Sequence, residues 1–141
     1  MTSQQVHDFL ERFQAGWLEG NLEAVSDCYV DDCELISPIF HTVRGRAALE
    51  KSYRDAFRAF STVSIKSDEP IIDNEHERAA VVWTFKTKHQ GEIFGVPASG
   101  KMIEITVAFV LTLSNGRILK EVRIYDFAKM LLELGVLRAR A

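Results

Sequence analysis

WTFKTKHQGEIFGVPASGK, from Trp83 to Lys101, passes from strict two-residue alternation into a loop punctuated by Gly91, Gly95 and Gly100. Val81, Trp83, Phe85, Thr87 and His89 share one face, while Ala80, Val82, Thr84, Lys86 and Lys88 share the other. That period predicts a strand whose aromatic face is the inner one. Beyond the loop, Ile103, Ile105, Val107, Phe109, Leu111 and Leu113 repeat it against Glu104, Thr106, Ala108 and Thr112. Ser114, Asn115 and Gly116 then mark a tight hairpin turn. The last strand, Arg117 to Tyr125, sets Leu119, Glu121, Arg123 and Tyr125 on one side and Ile118, Lys120, Val122 and Ile124 on the other. Neither side is plainly polar, so periodicity leaves its orientation open.

Upstream, the period is helical. Val6, Phe9, Leu10, Phe13 and Trp17 follow a cap at Thr2 or Ser3 and predict an amphipathic helix ending near Gly20. Asn21 caps a second short helix, expected over Leu22 to Tyr29, before an extended run at Cys33 to Ile36 and a loop at Ser37 to Arg44. Leu49, Tyr53, Phe57 and Phe60 fall on one face of a third helix, Arg46 to Phe60. Val63 and Ile65 then alternate in a first strand, followed by a turn at Asp73 to Glu77. At the far end Asp126 precedes a final helix, Phe127 to Leu134, that stops at Gly135. Helices first and a long antiparallel meander afterwards predict one α+β domain, its curved sheet wrapped around the amphipathic helices.

Composition narrows the function classes. The chain has 141 residues, 47% of them hydrophobic, enough for a single core without metal or disulfide staples. Its 17 basic and 20 acidic residues are scattered, giving −3 overall and no basic stripe for nucleic acid or an anionic membrane. No apolar run approaches the roughly 20 residues of a spanning helix. Two cysteines, Cys28 and Cys33, and no charged-then-apolar leader pattern over Met1 to Gly20 make the reducing cytoplasm the expected location, with both thiols buried. His7, His41, His76 and His89 are dispersed and the cysteines lack paired metal spacing, so no metal or other cofactor is expected.

KHQGEIFGVPASGK at Lys88 to Lys101, NGRILKEVRIYD at Asn115 to Asp126 and LLELG at Leu131 to Gly135 resemble the SnoaL-like polyketide cyclases, and the order of elements matches over almost the whole chain. That family resembles the wider superfamily of nuclear transport factor 2 and ketosteroid isomerase. The resemblance implies a cone-shaped α+β barrel with a pocket at its open end, a small hydrophobic ligand and a homodimer formed through the open sheet face, where Thr84, Thr106, Ala108 and Val110 are uncharged. It also implies cofactor-free chemistry, in which a carboxylate removes a proton beside a carbonyl and a donor stabilises the enolate. Matched without a gap, Arg123 stands where such cyclases carry the acid/base aspartate, and Phe109 where they carry its histidine partner. The isomerase pattern would put its base at Ser37 and its oxyanion tyrosine at Phe13. Arginine stays protonated at neutral pH, so Arg123 would stabilise an enolate or anchor an acid rather than abstract a proton.

Two readings follow. In the first, a hydrophobic carbonyl compound undergoes proton transfer, as in cyclisation or isomerisation, with His89 or Glu121 as base and Arg123 as anion stabiliser. Phe13, Trp17, Ser37, Tyr53, Trp83, Phe85, Phe109 and Tyr125 would bind the substrate. In the second, the same pocket binds without reacting. His89 is equally a hydrogen-bonded rim residue, and Glu121 with Arg123 equally an exposed or dimer-facing ion pair. Asp126 reads as a helix cap rather than the missing carboxylate. Neutralisation of Arg123 by Glu121, with no other titratable group in the cavity, would favour the second reading.

Overall fold

Thr2 begins the first helix reciprocally: its Oγ1 accepts from the Gln5 amide at 3.1 Å, and Gln5 Oε1 accepts from the Thr2 amide at 2.8 Å. The computed structural model, which describes residues 1–138, continues α1 over Ser3–Glu19 and buries Val6, Phe9, Leu10 and Phe13. Helix α2, Leu22–Ser26, is shorter than its sequence suggests. Two of the three nitrogens of the Arg46 guanidinium, Nη1 and Nη2, end it, donating to the Ser26 carbonyl at 2.7 Å and the Tyr29 carbonyl at 2.6 Å. With those carbonyls satisfied, Tyr29 is free to open strand β1, Tyr29–Ser37.

The segment expected as a loop at Ser37 to Arg44 is a hairpin instead. Strand β2, His41–Arg44, pairs antiparallel with the end of β1, and Ser37 Oγ accepts from the Phe40 amide inside the turn at 3.1 Å. Helix α3 spans Arg46–Ala59. The strands β3 (Phe60–Ser67), β4 (Ile71–Asp73), β5 (Arg78–His89), β6 (Met102–Ser114) and β7 (Arg117–Ile124) follow, and α4 covers Phe127–Leu134. Asp126 is the cap it was expected to be, its Oδ1 accepting from the Lys129 amide at 2.9 Å. At the β6–β7 turn Asn115 (φ 52°) and Gly116 (φ 75°) are both left-handed, as a tight hairpin requires.

The sheet runs β2-β1-β7-β6-β5-β3, with β4 beside β5, and is curved but not closed. All pairings are antiparallel except β1 with β7. On β5 and β6 the alternation reads through directly: Val81, Trp83, Phe85, Thr87 and His89 are buried, as are Val107, Phe109, Leu111 and Leu113. Apart from Thr87 and His89, these residues and the apolar face of α1 form the main core. Strand β7 departs from simple alternation for a local reason. Thr112 pairs with Lys120 but Leu113 pairs with Ile118, leaving Leu119 bulged out of the ladder and half-exposed. The bulge brings Ile118 onto the inner face together with Glu121 and Arg123, all three buried.

The 90–101 loop departs over the end of α3. A Cβ at Gly91 would lie 2.3 Å from the Arg58 carbonyl oxygen, and the Gly91 amide donates to Ala59 at 3.1 Å. That glycine is required by close approach. Cys28 and Cys33 are free and buried. Burial pushes the Cys28 thiol up to about 11, leaving it an inert core group. Among the described residues no helix is long and apolar enough to cross a membrane.

Candidate ligand pocket

Three layers of the fold converge on one cavity. Trp17 comes from α1 and Phe57 from α3, and the inner faces of β3, β5, β6 and β7 add Phe60, Thr62, Phe85, Thr87, Ile105, Val107, Phe109 and Arg123. Ala56 of α3, Ile39 and Phe40 of the β1–β2 turn, Ile93 of the 90–101 loop, Tyr125 just after β7, and Met130 of α4 complete it. The cavity volume is about 100 Å³. The lining is predominantly apolar with a few polar groups, the usual composition of a small-molecule site.

Among the described residues, the one charged side chain on this lining is Arg123. Its Cζ lies 5.0 Å from the Trp17 ring centre, 5.1 Å from that of Tyr53 and 5.8 Å from that of Phe109, so aromatic faces surround the cation. Nε donates to Glu121 Oε2, and Nη2 donates to the Tyr53 hydroxyl at 2.9 Å. The Tyr29 hydroxyl donates to Glu121 Oε1 and lies 2.6 Å from the Tyr53 hydroxyl. These contacts set the proton directions. Since Tyr29 donates to the carboxylate, it accepts from Tyr53, which in turn accepts from Arg123. Arg123, Tyr53, Tyr29 and Glu121 thus form a closed ring in which both carboxylate oxygens are occupied.

Electrostatics follow from that enclosure. Burial lowers the pKa of Arg123, but the Glu121 carboxylate and the two phenols hold it well above its ordinary value. Burial raises both ring tyrosines, with Glu121 adding to the effect. Tyr125, on the cavity wall, is pushed up to about 12 by burial against the opposing effect of Arg123, so it is a neutral phenol over the physiological range. The indole Nε1 of Trp17 is buried without an acceptor among the described residues. No group of three or more His, Cys, Asp or Glu side chains is gathered as a metal site would need, among the described residues.

The residues singled out by sequence divide into two sets. Trp17, Phe85, Phe109, Arg123 and Tyr125 line the cavity. Phe13, Ser37, Tyr53, Trp83, Glu121 and His89 are buried outside that lining. Phe13 and Trp83 pack behind Phe109, at 6.0 and 4.8 Å between ring centres. Ser37 serves the β1–β2 turn, while Tyr53 and Glu121 hold Arg123 from behind. His89 is fully buried, its Nδ1 2.9 Å from Ser99 Oγ and its Nε2 unpartnered among the described residues. His41 is exposed on the hairpin. The mouth residues Ile39, Phe40, Ile93 and Met130 were not anticipated, because they come from a turn, a loop and a helix end with no shared period.

Comparison with known proteins agrees with this architecture. No curated protein matches the chain. Among solved structures, TsrD from Streptomyces laurentii superposes with a TM-score of 0.81 at 21% identity, covering 97% of this chain and 99% of its own. A candidate SnoaL-like polyketide cyclase from Jannaschia Sp. CCS1 gives 0.80 at 13% identity, over 96% and 94%. A candidate isomerase from Bacillus subtilis gives 0.81 at 12%, over 97% of each chain. At such identities the likeness speaks to fold. The family model for SnoaL-like polyketide cyclases matches residues 7–134, and the chain accordingly belongs to the SnoaL-like polyketide cyclase family.

Proposed function

We propose that the cavity binds a small, mostly apolar compound carrying an oxygen that accepts a hydrogen bond from Arg123, and that it does so without abstracting a proton. One observation carries this reading: Glu121, the carboxylate nearest Arg123, is fully buried with both oxygens engaged by Tyr29 and Arg123. A general base must reach the proton it removes. Neither Glu121 nor His89 belongs to the lining, and the titratable lining residues are a cation and a neutral phenol.

Two measurements test it. Replacing Ile105, which is half-buried on the cavity wall, with tryptophan should fill the space and weaken binding of an apolar aryl ketone at least roughly tenfold. In D2O, the wild-type protein should leave deuterium uptake beside the ketone carbonyl at its solvent rate, followed by NMR. Acceleration of that exchange by wild type, lost in Glu121→Gln, would instead establish proton transfer.

The outer sheet face supports a homodimer. Thr84 and Thr106 bond there through their hydroxyls at 3.1 Å, and Ile124, paired with Ala108 on the same face, is 58% exposed. Sedimentation equilibrium at micromolar concentration should report twice the 16.0 kDa chain mass. A mass of one chain would remove this assignment.

A further inference from the structure

Resting on the ligand-binding reading above, we infer that the pocket selects a neutral oxygen acceptor, such as a ketone, and rejects carboxylates of the same shape, with Glu121 as the residue that sets this preference.

An arginine in an apolar cavity ordinarily signals an anchor for an acid, because its planar fork matches a carboxylate with two parallel hydrogen bonds. Here one edge of the fork is already spent. Nε is held by Glu121 and Nη2 by Tyr53, which leaves Nη1 as the guanidinium nitrogen without a hydrogen bond among the described residues. Both Nη1 hydrogens and the second Nη2 hydrogen remain to donate to a ligand oxygen, so donor number alone does not separate a ketone from a carboxylate.

Charge separates the two. Glu121 is fully buried and Arg123 is 8% exposed, so the two charges offset one another inside the protein with little help from water. The remaining neighbours of the pair among the described residues, Tyr29, Tyr53, Trp17 and Phe109, bring no positive charge. A carboxylate entering this cavity would shed its hydration and find a pair of zero net charge, leaving a buried negative charge uncompensated. A ketone sheds far less and still gains a hydrogen bond to a charged donor.

The experiment uses two probes of nearly equal shape, 2-acetylnaphthalene and 2-naphthoate, titrated calorimetrically into the full chain at pH 7. Wild type should bind the ketone at least about tenfold more tightly than the carboxylate. Glu121→Gln keeps an amide oxygen for Arg123 Nε but removes the negative charge, and should tighten 2-naphthoate binding at least about tenfold with the ketone changed by less than about threefold. Arg123→Met should weaken the ketone at least about tenfold. Equal or tighter binding of 2-naphthoate by wild type overturns the inference alone, as does a folded Glu121→Gln variant that still discriminates. Failure of wild type to bind either probe overturns the pocket reading along with it. Should Glu121→Gln fail to fold, the wild-type ratio and the Arg123→Met result decide.

Discussion

Replacing Glu121 with leucine is expected to lower stability by about 3–5 kcal/mol, because it strands the Arg123 cation inside the core without its counter-charge. For a domain of this size that corresponds to a fall in Tm on the order of 10 °C. The asymmetry of buried ion pairs adds a sharper expectation. Combining Glu121→Leu with Arg123→Met removes both charges together and should recover most of the loss, since an apolar pair of similar volume leaves no unpaired charge. Urea unfolding of wild type, the single variant and the double variant measures both. A single variant costing less than about 1 kcal/mol would mean that water reaches the guanidinium and that the ring of hydrogen bonds is a surface feature.

Trp83→Ala is expected to cost about 3–5 kcal/mol, the range for deleting a large buried aromatic. Trp83 is 1% exposed and packs at 4.8 Å from Phe109, 5.4 Å from Phe13 and 5.9 Å from Phe85 between ring centres. Two of those neighbours, Phe85 and Phe109, are cavity wall. The substitution should therefore destabilise the protein and loosen the wall from behind while touching no ligand atom. Urea unfolding reports the first effect. A loss below about 1.5 kcal/mol would show that the aromatic cluster collapses into the vacated space.

These two positions also show how far the sequence carries. Alternation on β5 and β6 told which side of the sheet Trp83, Phe85, His89 and Phe109 occupy, because a period of two encodes facing. It does not encode depth along the cone. Phe85 and Phe109 reach the cavity, Trp83 lies one layer behind them, and His89 sits at the strand end beneath the 90–101 loop, bonded to Ser99. The capped helices were legible at Thr2, Asn21 and Asp126 because capping is local chemistry. The early start of β1 was not, since it depends on Arg46 reaching back to Ser26 and Tyr29 from another element. Strand β7 was ambiguous for a reason that only pairing exposes: the Leu119 bulge changes the facing of everything on one side of it. The Glu121–Arg123 pair was legible as two residues sharing a face, whereas the phenols of Tyr29 and Tyr53 that lock it come from β1 and α3.

That ring of four side chains has a consequence for how the chain reaches its native state. The Tyr29–Glu121 bond joins residues 92 apart, and the Arg123–Tyr53 bond residues 70 apart. Loops of that length must close before either bond can form, and β1 must already lie beside β7. The chemistry of the cavity is thus absent from every partial assembly lacking the first strand or the last. In folding terms the ring is the seal on a completed sheet rather than its nucleus.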